Sequence, residues 1–275
     1  MSPQKRRRVE PTHTVSSRHA PDGGPDSIGI RTGEHGVIAG KTRTGKTHYL
    51  VDMILGQGVH KGLAPGWDKV VVMCDTMSVG QPTYARLKKY FKGKGGVTFV
   101  KGLPIDQEEE QKFIDMLSKA HNNKHKTICI IDDLMNDTKS GHSERFCDKL
   151  FTSARHLGVD TWEINQSHCA NRNRRLNSGY LVFFKTPADV KSLQTVGSQL
   201  RPDNKGRDVI AAYRQATSTD HGCLLVCLHE NERYKYRNTD PRVVMDLTKV
   251  RMDEHGNLYT SAVPGTEEWS DMQSE

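Results

Sequence analysis

A glycine-rich segment that ends in lysine and threonine is the part of the chain whose residue types and spacing point most directly to chemistry. Residues 40–47 read Gly-Lys-Thr-Arg-Thr-Gly-Lys-Thr and fit the pattern Gly-x-x-x-x-Gly-Lys-Ser/Thr. In such a loop the glycines let consecutive backbone N–H groups point inward at phosphate oxygens, and the positive end of the next helix favours the same anion. Lys46 would add a charge at the β and γ phosphates of a nucleotide, and the Thr47 hydroxyl would bind magnesium.

The segment therefore predicts a binding site for ATP and Mg2+. A guanine nucleotide is disfavoured, because no Asn-Lys-x-Asp segment follows the loop. The residues expected to contact the nucleotide are Gly40, Lys41, Thr42, Arg43, Thr44, Gly45, Lys46, Thr47 and His48.

Two adjacent aspartates supply the acidic half of such a site. Asp132 and Asp133 follow the apolar segment 127–131, which we expect to be a strand next to the one that precedes the glycine-rich loop. Asp132 would then bind Mg2+. Because neighbouring side chains diverge at the end of a strand, Asp133 is the group expected to orient and deprotonate an attacking water.

The elements that would position these residues alternate between strand and helix. The apolar segment 36–39 comes before the loop, and the helical pattern 48–55 comes after it. Further strands are expected at 68–74, 96–100, 127–131, 160–166 and 179–185, and further helices at 84–91, 108–120 and 188–200. This alternation predicts an α/β fold of the P-loop NTPase type, with a central, mostly parallel β-sheet flanked by helices. Segments 222–229 and 233–237 flank a turn and predict a C-terminal β-hairpin.

The composition divides the chain into three parts. Residues 1–28 are predicted to be a disordered basic tail, 29–250 an ATPase domain and 251–275 an acidic, polar C-terminal tail. Within the first tail, residues 5–8 read Lys-Arg-Arg-Arg, which suits either a nuclear localisation signal or an arm that contacts phosphates. No apolar run approaches the roughly 20 residues that span a bilayer, so we expect a soluble intracellular protein with no membrane partner. The six cysteines have neither zinc-site nor disulfide spacing and are expected to be reduced packing residues.

The charge of the chain favours a polyanionic partner. The formal net charge is +7 and the pI is near 9.0, which makes nucleic acid the leading candidate. Of two basic clusters, the one at 86–94 suits a solvated helix face as well as DNA contact. Arg172, Arg174 and Arg175 form the other, which could line a pore and contact DNA phosphates, or in the case of Arg175 serve the nucleotide.

Four more segments follow the glycine-rich loop in a recognisable order. They are Ile131-Asp132-Asp133-Leu134, then Ala154-Arg155-His156-Leu157, then Gln166 at the end of an expected strand, and then Arg175-Leu176-Asn177 before another. Over residues 33–237 the chain resembles the poxvirus-type DNA-packaging ATPases of large eukaryotic DNA viruses and virus-like transposons, members of the FtsK–HerA class of ring motors. The ordered set is much more specific than any one of its members.

That resemblance implies roles for two more residues and for the assembly. Gln166 would sense the γ phosphate between the two central strands, and Arg155 would be an arginine finger that reaches the nucleotide of a neighbouring subunit. The implied protein is a pentameric or hexameric ring that threads double-stranded DNA into a preformed capsid at its portal vertex, in a host nucleus or viral assembly site. The chain departs from many relatives in carrying Asp133 where they carry the longer Glu.

Three other functions share part of this pattern. A helicase or DNA pump unconnected to capsids would use the same motor. A P-loop small-molecule kinase would share the phosphate loop but act as a monomer with a lid. A DNA-binding protein without activity is disfavoured, because Lys46, Thr47, Asp132 and Asp133 are all present.

Overall fold

The computed structural model describes residue 30 and residues 32–60, 65–134, 141–167, 171–186, 190–200 and 205–228, together with four short strands beyond them. The predicted tail 1–28 lies outside these residues, as does most of 251–275. The division of the chain into a domain and two tails therefore stays a prediction, although a strand pair occupies part of 251–275.

The strands of the main sheet are β1 (Gly36–Ala39), β2 (Lys69–Cys74), β3 (Val97–Lys101), β4 (Thr127–Asp132), β5 (Val159–Asn165), β6 (Tyr180–Phe184), β7 (Cys223–Cys227), β8 (Lys235–Arg237) and β9 (Val244–Asp246). A separate antiparallel pair consists of β10 (Val250–Met252) and β11 (Leu258–Thr260). The helices are α1 (Lys46–Leu55), α2 (Pro82–Tyr90), α3 (Gln107–Asn122), α4 (Gly141–Ser153), α5 (Arg172–Leu176), α6 (Val190–Leu200) and α7 (Arg207–Ala216).

The first six strands run parallel in the order β3-β2-β4-β5-β1-β6. Strands β7, β8 and β9 extend the sheet beyond β6, each antiparallel to the one before it. The predicted α/β fold and the predicted hairpin, which is β7 with β8, are confirmed. Since all six parallel strands point the same way, their carboxyl ends share one edge of the sheet, which we call the carboxyl edge, and their amino ends share the other, the amino edge.

One expectation about the strand order is wrong. The strand that ends in Asp132 does not lie beside β1, because β5 is inserted between β4 and β1 and pairs in parallel with both. This pairing joins residues that are far apart along the chain, so no local pattern encodes it. Its consequence is that the segment after β5 emerges between the loop after β1 and the aspartates after β4.

Helices cover both faces of the sheet, which is why the central strands β1, β4, β5 and β6 are buried along their whole length. One face packs against α1 and α2 through residues such as Leu50, Ile54 and Leu87. The other packs against α3, α4, α6 and α7, and Phe146 and Val209 are examples. The five cysteines that the structure describes are buried and form no disulfide, as predicted for them. In the described part of the chain, no helix is long and apolar enough to cross a membrane.

Candidate nucleotide site at the carboxyl edge

The glycine-rich loop connects β1 to α1 at the carboxyl edge and has the backbone that its glycines permit. Gly45 precedes α1 with φ 99°, a left-handed conformation that favours glycine. At Gly40 the reason is space, because an added Cβ would lie 2.5 Å from the Phe184 Cβ. The Gly40 N–H donates to the Asn165 carbonyl at 3.1 Å, which attaches the loop to the end of β5.

Lys46 lies in the first turn of α1 with its ammonium folded back over the loop. Its Nζ donates to the carbonyls of Gly40 at 2.7 Å and Lys41 at 3.0 Å. Burial lowers the pKa of Lys46, and the nearby charges of Asp133 and Asp132 oppose that effect. The loop therefore holds a partly desolvated cation, which would exchange carbonyl oxygens for the phosphate oxygens of a bound nucleotide.

The other side of the loop is supported by two residues that the sequence patterns did not single out. The Lys41 N–H donates to the Thr186 hydroxyl at 3.0 Å, and the Thr186 N–H donates to the Tyr213 hydroxyl at 2.7 Å. Thr186 follows β6 and Tyr213 belongs to α7. The C-terminal half of the domain therefore supports the phosphate loop through these two hydrogen bonds.

Asp132 ends β4 with its carboxylate between a threonine and a tyrosine. Its Oδ1 lies 3.5 Å from the Thr47 hydroxyl, and its Oδ2 accepts a hydrogen bond of 2.5 Å from the Tyr84 hydroxyl. Burial raises the pKa of Asp132, while the Tyr84 hydrogen bond lowers it. Burial also raises the pKa of Tyr84, so its hydroxyl stays protonated and donates at neutral pH. A carboxylate and a hydroxyl side by side are the oxygen ligands that Mg2+ prefers, and the two residues fit that ion.

Asp133 turns away from the strand that precedes it. Its φ of 56° is in the left-handed region, which aspartate tolerates better than most residues, and its N–H donates to the Ile164 carbonyl at 3.1 Å. The turn brings its Oδ2 within 2.6 Å of Gln166 Nε2. Both side chains are exposed. The inserted strand β5 thus delivers Gln166 to Asp133, and the two polar groups predicted separately form one hydrogen-bonded pair.

Arg155 lies at the amino edge, in a short 3-10 turn before β5. Its Nη2 donates to the Asn177 carbonyl at 2.9 Å and lies 3.5 Å from Glu34 Oε2, and its side chain is 45% exposed. The seven residues of β5 separate it from the nucleotide site by about 20 Å. The structure thus keeps Arg155 away from the phosphate loop of its own chain, and a role at a neighbour's nucleotide stays a prediction.

The three arginines predicted to contact DNA do not share one environment. Arg172 is exposed, but Arg174 is buried and donates to Asp148 Oδ1 at 2.8 Å and to Glu163 Oε1 at 2.5 Å. Arg175 is also buried and donates to Gln199 of α6 at 3.1 Å. Helix α5 turns Arg174 and Arg175 inward and leaves Arg172 as the exposed member of the three. A role for these arginines at DNA, or for Arg175 at the nucleotide, stays a prediction.

Two histidines stand near the loop. His48, predicted from the motif, is exposed on α1 with its Nε2 3.2 Å from Arg86 Nη1. His221 was not predicted, since it is 177 positions from its partner. It lies in the turn before β7 with φ 58°, and its Nδ1 is 3.1 Å from the Thr44 carbonyl of the phosphate loop.

Comparison with known proteins yields structural likenesses and no match of sequence. No protein-family model and no curated protein matches this chain. Among solved structures it resembles B204, the DNA-packaging ATPase from Sulfolobus turreted icosahedral virus, with a TM-score of 0.49 and 14% identity over 76% of this chain and 98% of that one.

Two further likenesses are weaker. One is the genome-packaging NTPase B204 from Sulfolobus turreted icosahedral virus 2 in complex with ATP-gammaS, with a TM-score of 0.46 and 15% identity over 76% of this chain and 98% of that one. The other is the cytoplasmic domain of EssC, with a TM-score of 0.40 and 13% identity over 58% of this chain and 33% of that one. Likenesses with such low TM-scores and sequence identities do not assign a function to this chain. A function can be inferred only from the geometry of its own site.

Proposed function

We propose that this protein is a magnesium-dependent ATPase that drives the translocation of double-stranded DNA, and that the translocation packages a viral genome into a preformed capsid. The observation that carries the enzymatic part is the convergence at the carboxyl edge. Lys46, the Thr47–Asp132 pair and the Asp133–Gln166 pair reach one place from three neighbouring strands, although they are distant in sequence. The order of the motifs along the chain supports the packaging part.

The residues of the site divide the chemistry among them. The loop N–H groups and Lys46 bind and orient the triphosphate, and Mg2+ held by Thr47 and Asp132 would neutralise charge on its β and γ oxygens. Gln166 holds the Asp133 carboxylate in place. Asp133 can then accept a proton from the water that attacks the γ phosphorus while the bond to the β–γ bridging oxygen breaks and ADP leaves.

Because Arg174 and Arg175 are buried and hydrogen-bonded within the domain, we propose a second, exposed surface for DNA. The cations at the end of α2 are available for it, and we call Lys88, Lys89, Lys92 and Lys94 the lysine patch. All four are exposed, and within the described part of the chain none takes part in an ion pair. Arg86, from the same basic segment, is instead bonded to Asp52 and Gln57. Exposed lysines that have no carboxylate partner bind phosphates without reading sequence.

The rate of ATP hydrolysis with and without double-stranded DNA, measured across protein concentration, tests the proposed function. We expect DNA to stimulate hydrolysis, and the rate per subunit to rise with protein concentration as subunits assemble. A rate that neither DNA nor concentration changes would contradict a DNA motor and favour the small-molecule kinase instead.

The lysine patch has its own test and control. Replacing Lys89 and Lys92 by Ala should weaken DNA binding on any sequence and reduce the salt dependence of log K by about one unit for each phosphate that the variant no longer binds. Lys112→Ala is the matched control, because Lys112 is as exposed but already paired with Glu108 at 2.6 Å. Equal effects of the patch and control variants would place the DNA surface elsewhere.

Assembly and location complete the proposal. An arginine finger at Arg155 requires a ring in which the amino edge of one subunit meets the carboxyl edge of the next, and the portal vertex of a capsid is its proposed docking partner. The basic segment 5–8 would bring the protein to the host nucleus. Loss of nuclear accumulation after deletion of residues 5–8, with DNA affinity unchanged, would support a localisation signal, whereas the reverse pattern would identify a DNA-binding arm.

A further inference from the structure

The contact between α2 and the end of β4 gives the magnesium site a residue that no motif contains. We infer that Tyr84 is a positioning residue, which holds the Asp132 carboxylate so that Oδ1 faces Thr47. The inference rests on the proposed function, because it concerns the same metal site.

The two oxygens of Asp132 have different neighbours. Oδ2 accepts the Tyr84 hydrogen bond at 2.5 Å, whereas Oδ1 lies 3.5 Å from the Thr47 hydroxyl. The Tyr84 hydroxyl is thus hydrogen-bonded to the carboxylate oxygen that points away from Thr47. A carboxylate free to rotate about its last bond would present either oxygen, so a donor at Oδ2 selects the orientation in which Oδ1 is left beside the second metal ligand.

The position of the Tyr84 hydroxyl is set by packing and does not depend on a metal. Tyr84 is completely buried, and its ring packs edge to face against Phe99 with centroids 5.7 Å apart. It belongs to the same apolar cluster as Leu87 and Phe91, the next inward residues of its segment. A ring confined in this way carries its hydroxyl to a defined point, so Asp132 is oriented before nucleotide or Mg2+ arrives.

The helix that carries Tyr84 is also bonded to the helix that follows the phosphate loop. Arg86 donates to Asp52 in the last turn of α1 and to Gln57 just beyond that helix, each at 2.5 Å. Tyr84 and Arg86 therefore connect one short helix to both halves of the metal site, Asp132 on β4 and α1 with Thr47. A shift of one half relative to the other would stretch these hydrogen bonds. Helix α2 therefore resists such a shift and helps to keep the two metal ligands together.

The test measures binding of a non-hydrolysable ATP analogue by calorimetry across Mg2+ concentration, without any turnover. Tyr84→Phe keeps the ring and its packing but removes the donor. We expect its affinity for the analogue without Mg2+ to be unchanged, and its half-saturating Mg2+ concentration to rise about tenfold, since groups that orient metal ligands are worth about 10- to 100-fold in metal affinity. Tyr90→Phe is the matched control, because Tyr90 is on the same helix but exposed, and its Mg2+ curve should coincide with the wild type.

Each outcome separates the inference from the proposed function. If the wild type shows Mg2+-dependent binding and Tyr84→Phe has the same Mg2+ midpoint, the positioning role is overturned and the ATPase proposal stands. If Mg2+ changes nothing in the wild type, the metal site itself is wrong and both fall. A double-mutant cycle on unfolding free energy adds an independent check, because Tyr84→Phe should cost less in an Asp132→Ala background than in the wild type, and equal costs would overturn the inference.

Discussion

Asp132 and Asp160 are both buried aspartates of central strands. They lie at opposite edges of the sheet and have different hydrogen-bond partners. At the carboxyl edge Asp132 has a tyrosine at one oxygen and, at the other, a threonine hydroxyl that can itself bind a metal. At the amino edge both oxygens of Asp160 accept from Gly33 N–H at 2.9 Å, and one also accepts from Trp67 Nε1 at 2.6 Å. Burial of a carboxylate therefore does not mark a functional site by itself, and the groups that face it do.

The two edges should respond differently to substitution if this comparison is correct. The largest effect is expected at the carboxyl edge. Lys46→Ala should abolish tight ATP binding and Asp132→Ala should abolish Mg2+-dependent hydrolysis, because both side chains act on the triphosphate. Nucleotide affinity and steady-state hydrolysis check both variants, and a wild-type rate in either would refute the site.

Arg155 lies at the amino edge but is expected to act in catalysis, so it is the exception to a division into a catalytic carboxyl edge and a structural amino edge. Arg155→Ala should leave ATP binding nearly intact and reduce hydrolysis about a thousandfold, if the side chain completes the site of a neighbouring subunit. Its distance from its own phosphate loop leaves a structural role as the alternative.

A mixture of two inactive variants distinguishes these roles. Rings that contain both Arg155→Ala and Asp133→Asn subunits would include interfaces where an intact Arg155 meets an intact Asp133, so partial activity should return. If mixed oligomers form and activity does not exceed that of the separate variants, Arg155 is structural and serves only its contacts with Glu34 and Asn177.

Asp133→Asn sharpens the comparison within the carboxyl edge. Asparagine tolerates the left-handed backbone of position 133 and keeps the shape of the side chain, but it cannot take a proton from water. We expect ATP affinity to be retained and turnover to fall at least a hundredfold, within the range of about 10²–10⁴ for general-base groups. Single-turnover kinetics and equilibrium binding separate the two quantities. Loss of affinity together with turnover would show instead that Asp133 binds the metal or supports the fold.

Local patterns in the sequence predicted most elements of this fold but few of the contacts between them. Strands β2 to β6 and helices α1 to α3 have the apolar spacing that their burial requires, so their approximate positions could be read from the sequence. Helices α4, α5 and α7 were not predicted, although α4 buries Phe146 and Leu150 at helical spacing. The insertion of β5 depends on pairing between distant segments, which no local pattern records.

The same limit applies to the site. The residues of the glycine-rich loop and the two aspartates were predicted because their chemistry requires a particular order of residue types. The support given by Tyr84, Thr186 and His221 was not, since each contacts the site from a distant part of the chain. Arg172 and Arg174 look alike in sequence, and only the packing of α5 against α4 and β5 decides that one is exposed and the other is paired with Asp148 and Glu163.

The pH dependence of stability gives the smallest expected effect and tests the amino edge directly. Burial raises the pKa of Asp160 to about 6, and this outweighs the hydrogen bonds from Trp67 and Gly33, while Glu34 raises the pKa further and Arg155 lowers it. Because an unfolded aspartate has a pKa near 4, the folded protein binds the proton more tightly, so the contribution of Asp160 to stability is fully present below about pH 4 and is lost as pH rises through about 6. Two pKa units correspond to about 3 kcal/mol at most.

His35, whose pKa burial lowers to about 3, produces a slope of the opposite sign below pH 6.5, so only a difference between variants isolates Asp160. The unfolding free energy of the wild type and of Asp160→Asn should be measured by urea denaturation from pH 4 to 7. The difference between them should favour the wild type most at the acid end and shrink by about 1 to 3 kcal/mol as pH rises.

Hydrolysis per folded molecule should stay the same, since the Asp160 carboxylate lies at the far edge from the phosphate loop. A difference that is constant with pH would mean that Asp160 is ionised in the folded protein throughout this range, and a loss of hydrolysis without a loss of stability would mean that the two edges of the sheet are not functionally separate.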